Sequence, residues 1–158
     1  MTNAWTGTFG KIASLEDWRI QELRDLGIDV SKSFDTKQPL IFPHLKSKAL
    51  KRFPIFKQGC LFTCNIAKGD ILKAFLQYIG WNPHHIIFID DKHKHLESVE
   101  NFCKQAGIAF TGFHYTAVEK MPKTPLNQQI ANYQFKVLEQ KNRWLSDREA
   151  ITRLKNAL

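Results

Sequence analysis

The stretch HIIFIDDKHKHLESVENFCKQAG, residues 85–107, decides the fold. An apolar run, Ile86 to Ile89, ends on two adjacent aspartates, Asp90 and Asp91. A short apolar run bounded by polar residues reads as a buried strand, here His85 to Ile89. Leu96, Val99, Phe102, Cys103 and Ala106 then recur at helical spacing, and Gly107 closes that helix. Two like charges side by side repel, so a positive group is expected close to them.

Working outward, the same rhythm continues on both sides. Ile71, Leu72, Phe75, Leu76 and Ile79 mark a helix that stops at Gly80, after a loop over residues 65–69. Ile108 to Tyr115 reads as another strand. Helices alternating with short apolar strands predict a parallel sheet with crossover helices. In such sheets ligands bind beyond the carboxyl ends of the strands, which is where Asp90 and Asp91 fall.

The flanking regions carry their own signals. Ser14 followed by Leu15, Glu16 and Asp17 predicts a capped helix running to Leu26, with Gly27 as its stop. Residues 29–43 are broken by Pro39 and Pro43, with a short extended piece at Leu40 to Phe42. PIFKQGCLFTC reads as two strands about the turn Lys57-Gln58-Gly59. Beyond Pro122 and Pro125, residues 127–144 and 147–156 read as helices, and Ser146 with Glu149 fits a capping box. Two domains are expected: an α/β domain over residues 1–124 and a helical extension over 125–158 that packs on it.

Composition frames this reading. The chain has 158 residues, of which 43% are hydrophobic, enough for one sizeable core. No apolar run approaches the roughly 18 to 20 residues of a membrane span, and MTNAWTGTFGK has no signal-peptide pattern. As written, the chain reads as cytoplasmic; a leader upstream would redirect it to the periplasm, outer membrane or exterior. Cys60, Cys64 and Cys103 are too few for a disulfide framework and read as small buried hydrophobes. The net charge is +8, with one basic cluster, HLKSKALKRF at residues 44–53. No nucleic-acid motif accompanies it, so no specific nucleic-acid partner is expected.

Adjacent carboxylates at a strand tip suit a hard cation such as magnesium, which prefers oxygen ligands. They also suit a helix N-terminus, where acidic groups are favourable. His93 and His95 stand near enough to the pair to allow a zinc or iron site as an alternative; His84 and His85 lie a strand length away, roughly 15 to 20 Å at about 3.3 Å per residue.

The runs TNAWTGTFGKIASLEDWRIQELRDLGID, KGDILKAFL and FIDDKHKHLESVE, in that order, carry a resemblance. A lysine opening a helix and then an apolar strand ending in Asp-Asp resemble the last two motifs of the haloacid dehalogenase-like (HAD) superfamily. Over residues 1–116 the chain resembles an uncharacterised Gram-negative family of unknown function that looks HAD-like, some of whose members are described as outer-membrane proteins.

The resemblance implies a three-layer Rossmann-type α/β fold with a parallel sheet, plus a small β-hairpin and C-terminal helices. It implies hydrolysis of phosphate esters with Mg2+ as cofactor and a phosphorylated small molecule as substrate. Thr2 would hydrogen-bond the phosphoryl group, Lys68 would offset its charge, and Asp90 and Asp91 would hold the metal. Lys73, a full turn into the helix, is expected to face solvent. The superfamily's nucleophile lies in an Asp-x-Asp motif, and none occurs here. Asp35, in SKSFDTKQP, is the nearest candidate and reads as a loop residue. The chain therefore resembles a member that starts at the second motif and is inactive alone. The strands so missing are central in the superfamily's sheet, which implies an open edge for a second copy or a partner chain. A non-catalytic binding module and a basic interaction domain are the alternatives.

Overall fold

A computed structural model describes residues 1–36, 38–47, 52–122 and 125–156. Helix α1 (Leu15–Asp25) starts where Ser14 Oγ accepts from the Asp17 amide at 3.1 Å, and Gly27 turns the chain away at φ +77°. Strands β1 (Leu40–Ile41), β2 (Ile55–Lys57) and β3 (Cys60–Phe62) form an antiparallel sheet in the order β1-β2-β3. Gln58 and Gly59, both at positive φ, make the two-residue turn between β2 and β3 that right-twisted hairpins favour. Gly59 cannot be replaced here: a Cβ would stand 1.9 Å from the Val30 carbonyl oxygen.

Helix α2 (Lys68–Ile79), strand β4 (His85–Asp90), helix α3 (His93–Ala106) and strand β5 (Ala109–His114) follow. Strands β4 and β5 pair in parallel, with Ile87 opposite Thr111 and Ile89 opposite Phe113. The α3 crossover supplies the long connection that parallel pairing requires. Helices α4 (Gln128–Lys141) and α5 (Asp147–Lys155) close the chain. The architecture is mixed α/β: among the described residues, five α-helices, a two-stranded parallel sheet and a three-stranded antiparallel sheet.

The expected hairpin is present as β2 and β3, but the parallel sheet has two strands among the described residues, smaller than the three-layer arrangement expected. The two-residue turn after Lys57 forces β2 and β3 antiparallel, so only the α3 crossover yields a parallel pair. The N-terminal segment adds one parallel bridge, Thr2 to Phe62, through Thr2 N–H to Leu61 O and Thr63 N–H to Thr2 O, both at 2.9 Å.

Phe42, Phe56, Leu61, Ile71 and Phe75 form the main core between the antiparallel sheet and α2. Val99, Cys103 and Ile108 form a second, with Ile86, Phe88 and Phe110 packed against it. All three cysteines are free and buried. The C-terminal helices have a core of their own, Val137, Leu145 and Ala150. They touch the rest through Phe9 on Phe135 and the Lys11 amide on the Glu139 carbonyl. Helix α4 ends earlier than its apolar pattern predicts because Asn142 takes the left-handed conformation (φ +52°) that closes helices. The capping box at Ser146 is present, with both reciprocal bonds. Ser146→Ala should therefore lower stability by about 1 kcal/mol, a loss readable in a urea melt.

Candidate functional site

The site grows from the ends of α2 and β4. Helix α2 has no side-chain cap of its own at Ala67. Instead Ser98 Oγ, on α3, accepts from the Gly69 amide at 2.9 Å. The close approach that permits this needs glycine: a Cβ on Gly69 would lie 2.1 Å from the Ser98 carbonyl oxygen. Seating α2 on α3 in this way fixes Lys68, the first residue of α2, over the tip of β4.

There Lys68 Nζ donates to Asp90 Oδ2 in an ion pair whose side chains are 8% and 4% exposed. Nζ also lies 5.4 Å from the centre of the Phe88 ring. The other oxygen of Asp90 is engaged as well, accepting from the Lys92 amide and from His95 Nδ1, each at 2.9 Å. Burial pushes the Asp90 carboxyl up, but hydrogen bonds from Lys68, the Lys92 amide and His95 outweigh it. They hold the pKa at about 2, against an ordinary 3.8. The positive group that the aspartate pair called for is thus Lys68, and it serves Asp90 rather than both.

Thr2, Lys68, Asp90 and Asp91 line one cavity of about 450 Å³, beside His95 and Tyr115. Lys73 is exposed and outside it. Thr2 reaches the cavity because its backbone is stitched to β3, and Asn3 fastens the same segment. Asn3 Oδ1 accepts from Thr63 Oγ1 at 2.8 Å and from the Asn65 amide at 3.0 Å, holding the loop that leads to Lys68. Thr2 Oγ1 accepts from the Ala4 amide at 3.3 Å. Asp91 is exposed, and its carboxylate makes no hydrogen bond or ion pair among the described residues.

Sequence reasoning missed the role of His95. From the sequence His93 and His95 read as a solvated helix start or as transition-metal ligands, and among the described residues no cluster of three or more His, Cys, Asp or Glu suited to a metal forms. His93 instead pairs with Glu97 at 3.1 Å on the surface, and His85 bonds Thr111. The signal for His95 was its place in the first turn after Asp90, within reach of a strand-tip carboxylate. For magnesium the donor set is small. Asp90 already accepts three bonds, leaving about one of its four lone-pair positions, and Asp91 is open. Two partial ligands fit a cation that keeps most of its waters.

The basic cluster is partly committed. Arg52 donates to the Thr6 carbonyl and, at 2.9 Å, to that of Thr8, and Lys46 lies over Phe53 at 5.3 Å. Residues 48–51 of the cluster lie outside the described residues. No helix among the described residues is long and apolar enough to cross a membrane.

A mixed α/β chain with a buried Lys–Asp pair at a strand tip is the class that these elements define. The chain belongs to the family described as "Protein of unknown function (DUF2608)", whose profile matches residues 10–151. An uncharacterised protein of Rickettsia felis is 32% identical over 136 residues, covering 84% of this chain and 45% of that protein. One from Rickettsia prowazekii is 29% identical over 143 residues, covering 90% and 50%. A Chlamydia trachomatis protein with a provisional outer-membrane name is 34% identical over 67 residues, covering 42% and 26%. The chain spans about half the length of the Rickettsia relatives. No solved structure matches it significantly.

Proposed function

We propose that the cavity at the tip of β4 holds the phosphate of a small phosphorylated molecule together with Mg2+. The chain would supply the cationic and metal-holding half of a HAD-like site for phosphate ester hydrolysis. The observation that carries this reading is the convergence of Thr2, Lys68, Asp90 and Asp91 on one cavity, from segments far apart in sequence.

In this reading Asp90 fixes Lys68, whose ammonium group faces both carboxylate and cavity and attracts the phosphate oxygens. His95 and the Lys92 amide help keep Asp90 ionised, so Lys68 keeps its partner and its place. Thr2 offers a hydroxyl to phosphate, and Asp91 with the remaining lone pair of Asp90 would hold the metal. Bound there, Mg2+ would neutralise charge on the phosphate oxygens. No Asp-x-Asp nucleophile stands in the 158 residues, so binding without turnover is the behaviour expected of this chain by itself. The same absence is what a non-catalytic phosphate-binding module would show.

The test is calorimetric titration with inorganic phosphate, with and without Mg2+, beside an assay of aryl phosphate hydrolysis. Mg2+-dependent phosphate binding, weakened about tenfold or more by Asp91→Asn, is expected. Asp91 is exposed, so the variant should fold normally. Phosphate binding that ignores both Mg2+ and Asp91→Asn would overturn the metal assignment, and no phosphate binding would overturn the site. Turnover abolished by Asp91→Asn would place a nucleophile within this chain, with Asp35 the first to substitute.

A further inference from the structure

Among the described residues, the two-stranded parallel sheet is covered on one face only. Ile86, Phe88 and Phe110 pack under α3. On the opposite face Ile87 is 63% exposed, Ile89 62% and Phe113 53%, with Tyr115 and Val118 continuing the apolar surface beyond β5. Parallel sheets are normally buried on both faces, and their strands then read as continuous apolar runs, as β4 does. A face meant for water would alternate with polar residues instead.

The edge of β4 shows the same incompleteness. His84 O and Asp90 O accept from Ala109 and Tyr115, on the β5 side. Alternate residues point their backbone groups to opposite sides of a strand, so the amides and carbonyls of Ile87 and Ile89 face away from β5. Among the described residues no strand pairs there. The stretch Ile86 to Ile89 has neither the proline nor the lysine that commonly protects an edge.

Two facts choose the occupant. Each copy carries a formal charge of +8, which opposes association with itself. The Rickettsia relatives contain about as much polypeptide again beyond the matched stretch. We propose that the free edge of β4 and the Ile87–Ile89–Phe113 face receive an apolar, strand-forming segment of the polypeptide that makes up this other half. It would hydrogen-bond to Ile87 and Ile89 and cover the bare face. Ile89, Tyr115 and Val118 also line the cavity at the tip of β4, so the docked segment would wall one side of it. The docking itself rests on the outer face and edge of β4, not on phosphate binding by Lys68 or Asp91.

The experiment is to express separately the portions of the Rickettsia felis relative outside the matched stretch, and to mix each with this chain. The same portions are mixed with that relative's own matched stretch as the cognate pair. Association is read by sedimentation, and backbone protection by hydrogen exchange. Alone, the chain should exchange the Ile87 and Ile89 amides at least tenfold faster than those of Ile86 and Phe88. One portion should form a one-to-one complex, at least in the cognate pair, that slows exchange at Ile87 and Ile89 or their equivalents. A double substitution, Ile87→Asp with Ile89→Asp, should abolish the complex while the circular dichroism of the free chain is unchanged, since both side chains are already solvent-exposed. Slow exchange in the isolated monomer, a self-dimer protected at the same amides, a complex indifferent to the double substitution, or failure of the cognate pair would each overturn the proposal.

Discussion

Lys68→Met should destabilise the folded chain by about 3–5 kcal/mol, the usual cost of leaving one member of a buried ion pair without its partner. The carboxylate of Asp90 would keep its bonds from His95 and the Lys92 amide but lose its ion-pair partner Lys68, in a place 7% exposed. Urea denaturation of Lys68→Met, Asp90→Asn and the double variant is the measurement. The double variant should be more stable than Lys68→Met, because it removes the orphaned charge as well as the pair. Equal loss in all three would mean that the pair contributes packing alone.

The same carboxylate sets a pH dependence of known sign. Its folded pKa is about 2, below the ordinary 3.8. A depressed carboxyl pKa contributes stability that is complete above the unfolded value and is lost as pH falls toward the folded one. The difference corresponds to about 2 kcal/mol, disappearing between roughly pH 5 and pH 2. Stability measured across that window should fall less steeply in Asp90→Asn than in the parent chain. Parallel slopes would show that Asp90 has no special environment.

Gly69→Ala should have an effect of comparable size, against the usual trend. In a helix this change normally stabilises by about 1 kcal/mol. Here the new methyl carbon would stand 2.1 Å from the Ser98 carbonyl oxygen and 2.8 Å from its carbon. Backbone cannot yield as a side-chain end can, so α2 and α3 must separate. Overpacking of this kind costs about 1–3 kcal/mol, and the Gly69 to Ser98 hydrogen bond would go with it, about 1 kcal/mol more. A net loss of about 1–3 kcal/mol is expected. Moving α2 also moves Lys68, so the Asp90 pKa, read by NMR titration, should rise toward its ordinary value. Ser98→Ala removes only the hydrogen bond, and should lose about 1 kcal/mol with the Asp90 titration nearly unchanged. A stabilised Gly69→Ala would show that the two helices can part without cost.

Several elements were legible because their signals are local. The apolar run of β4, the helical spacing of α3 and the capping serines at 14 and 146 each state their structure within a few residues. The turn at Gln58-Gly59 does the same, through residues that tolerate positive φ. The hairpin of β2 and β3 was legible from that turn. What escaped was how small the parallel sheet is: alternating helices and strands predict a larger one, but among the described residues only β4 and β5 form it. The early end of α4 escaped for a related reason: the apolar pattern runs on past Asn142, while the backbone there has already turned left-handed.

The candidate site divides along the same line. By itself the sequence determined that Asp90 and Asp91 end a strand, and that Lys68 rather than Lys73 stands at a helix start. Those are consequences of periodicity and chain direction. Only the tertiary structure decided that Lys68 meets Asp90 across 22 positions, that His95 holds the second oxygen, and that Asn3 ties Thr2 to the same cavity. It also decided that one face of β4 and β5 is covered while the other stays bare. Contacts between distant segments depend on how closely helices and strands approach, and here that approach is set by the missing side chain of Gly69 against the backbone of Ser98.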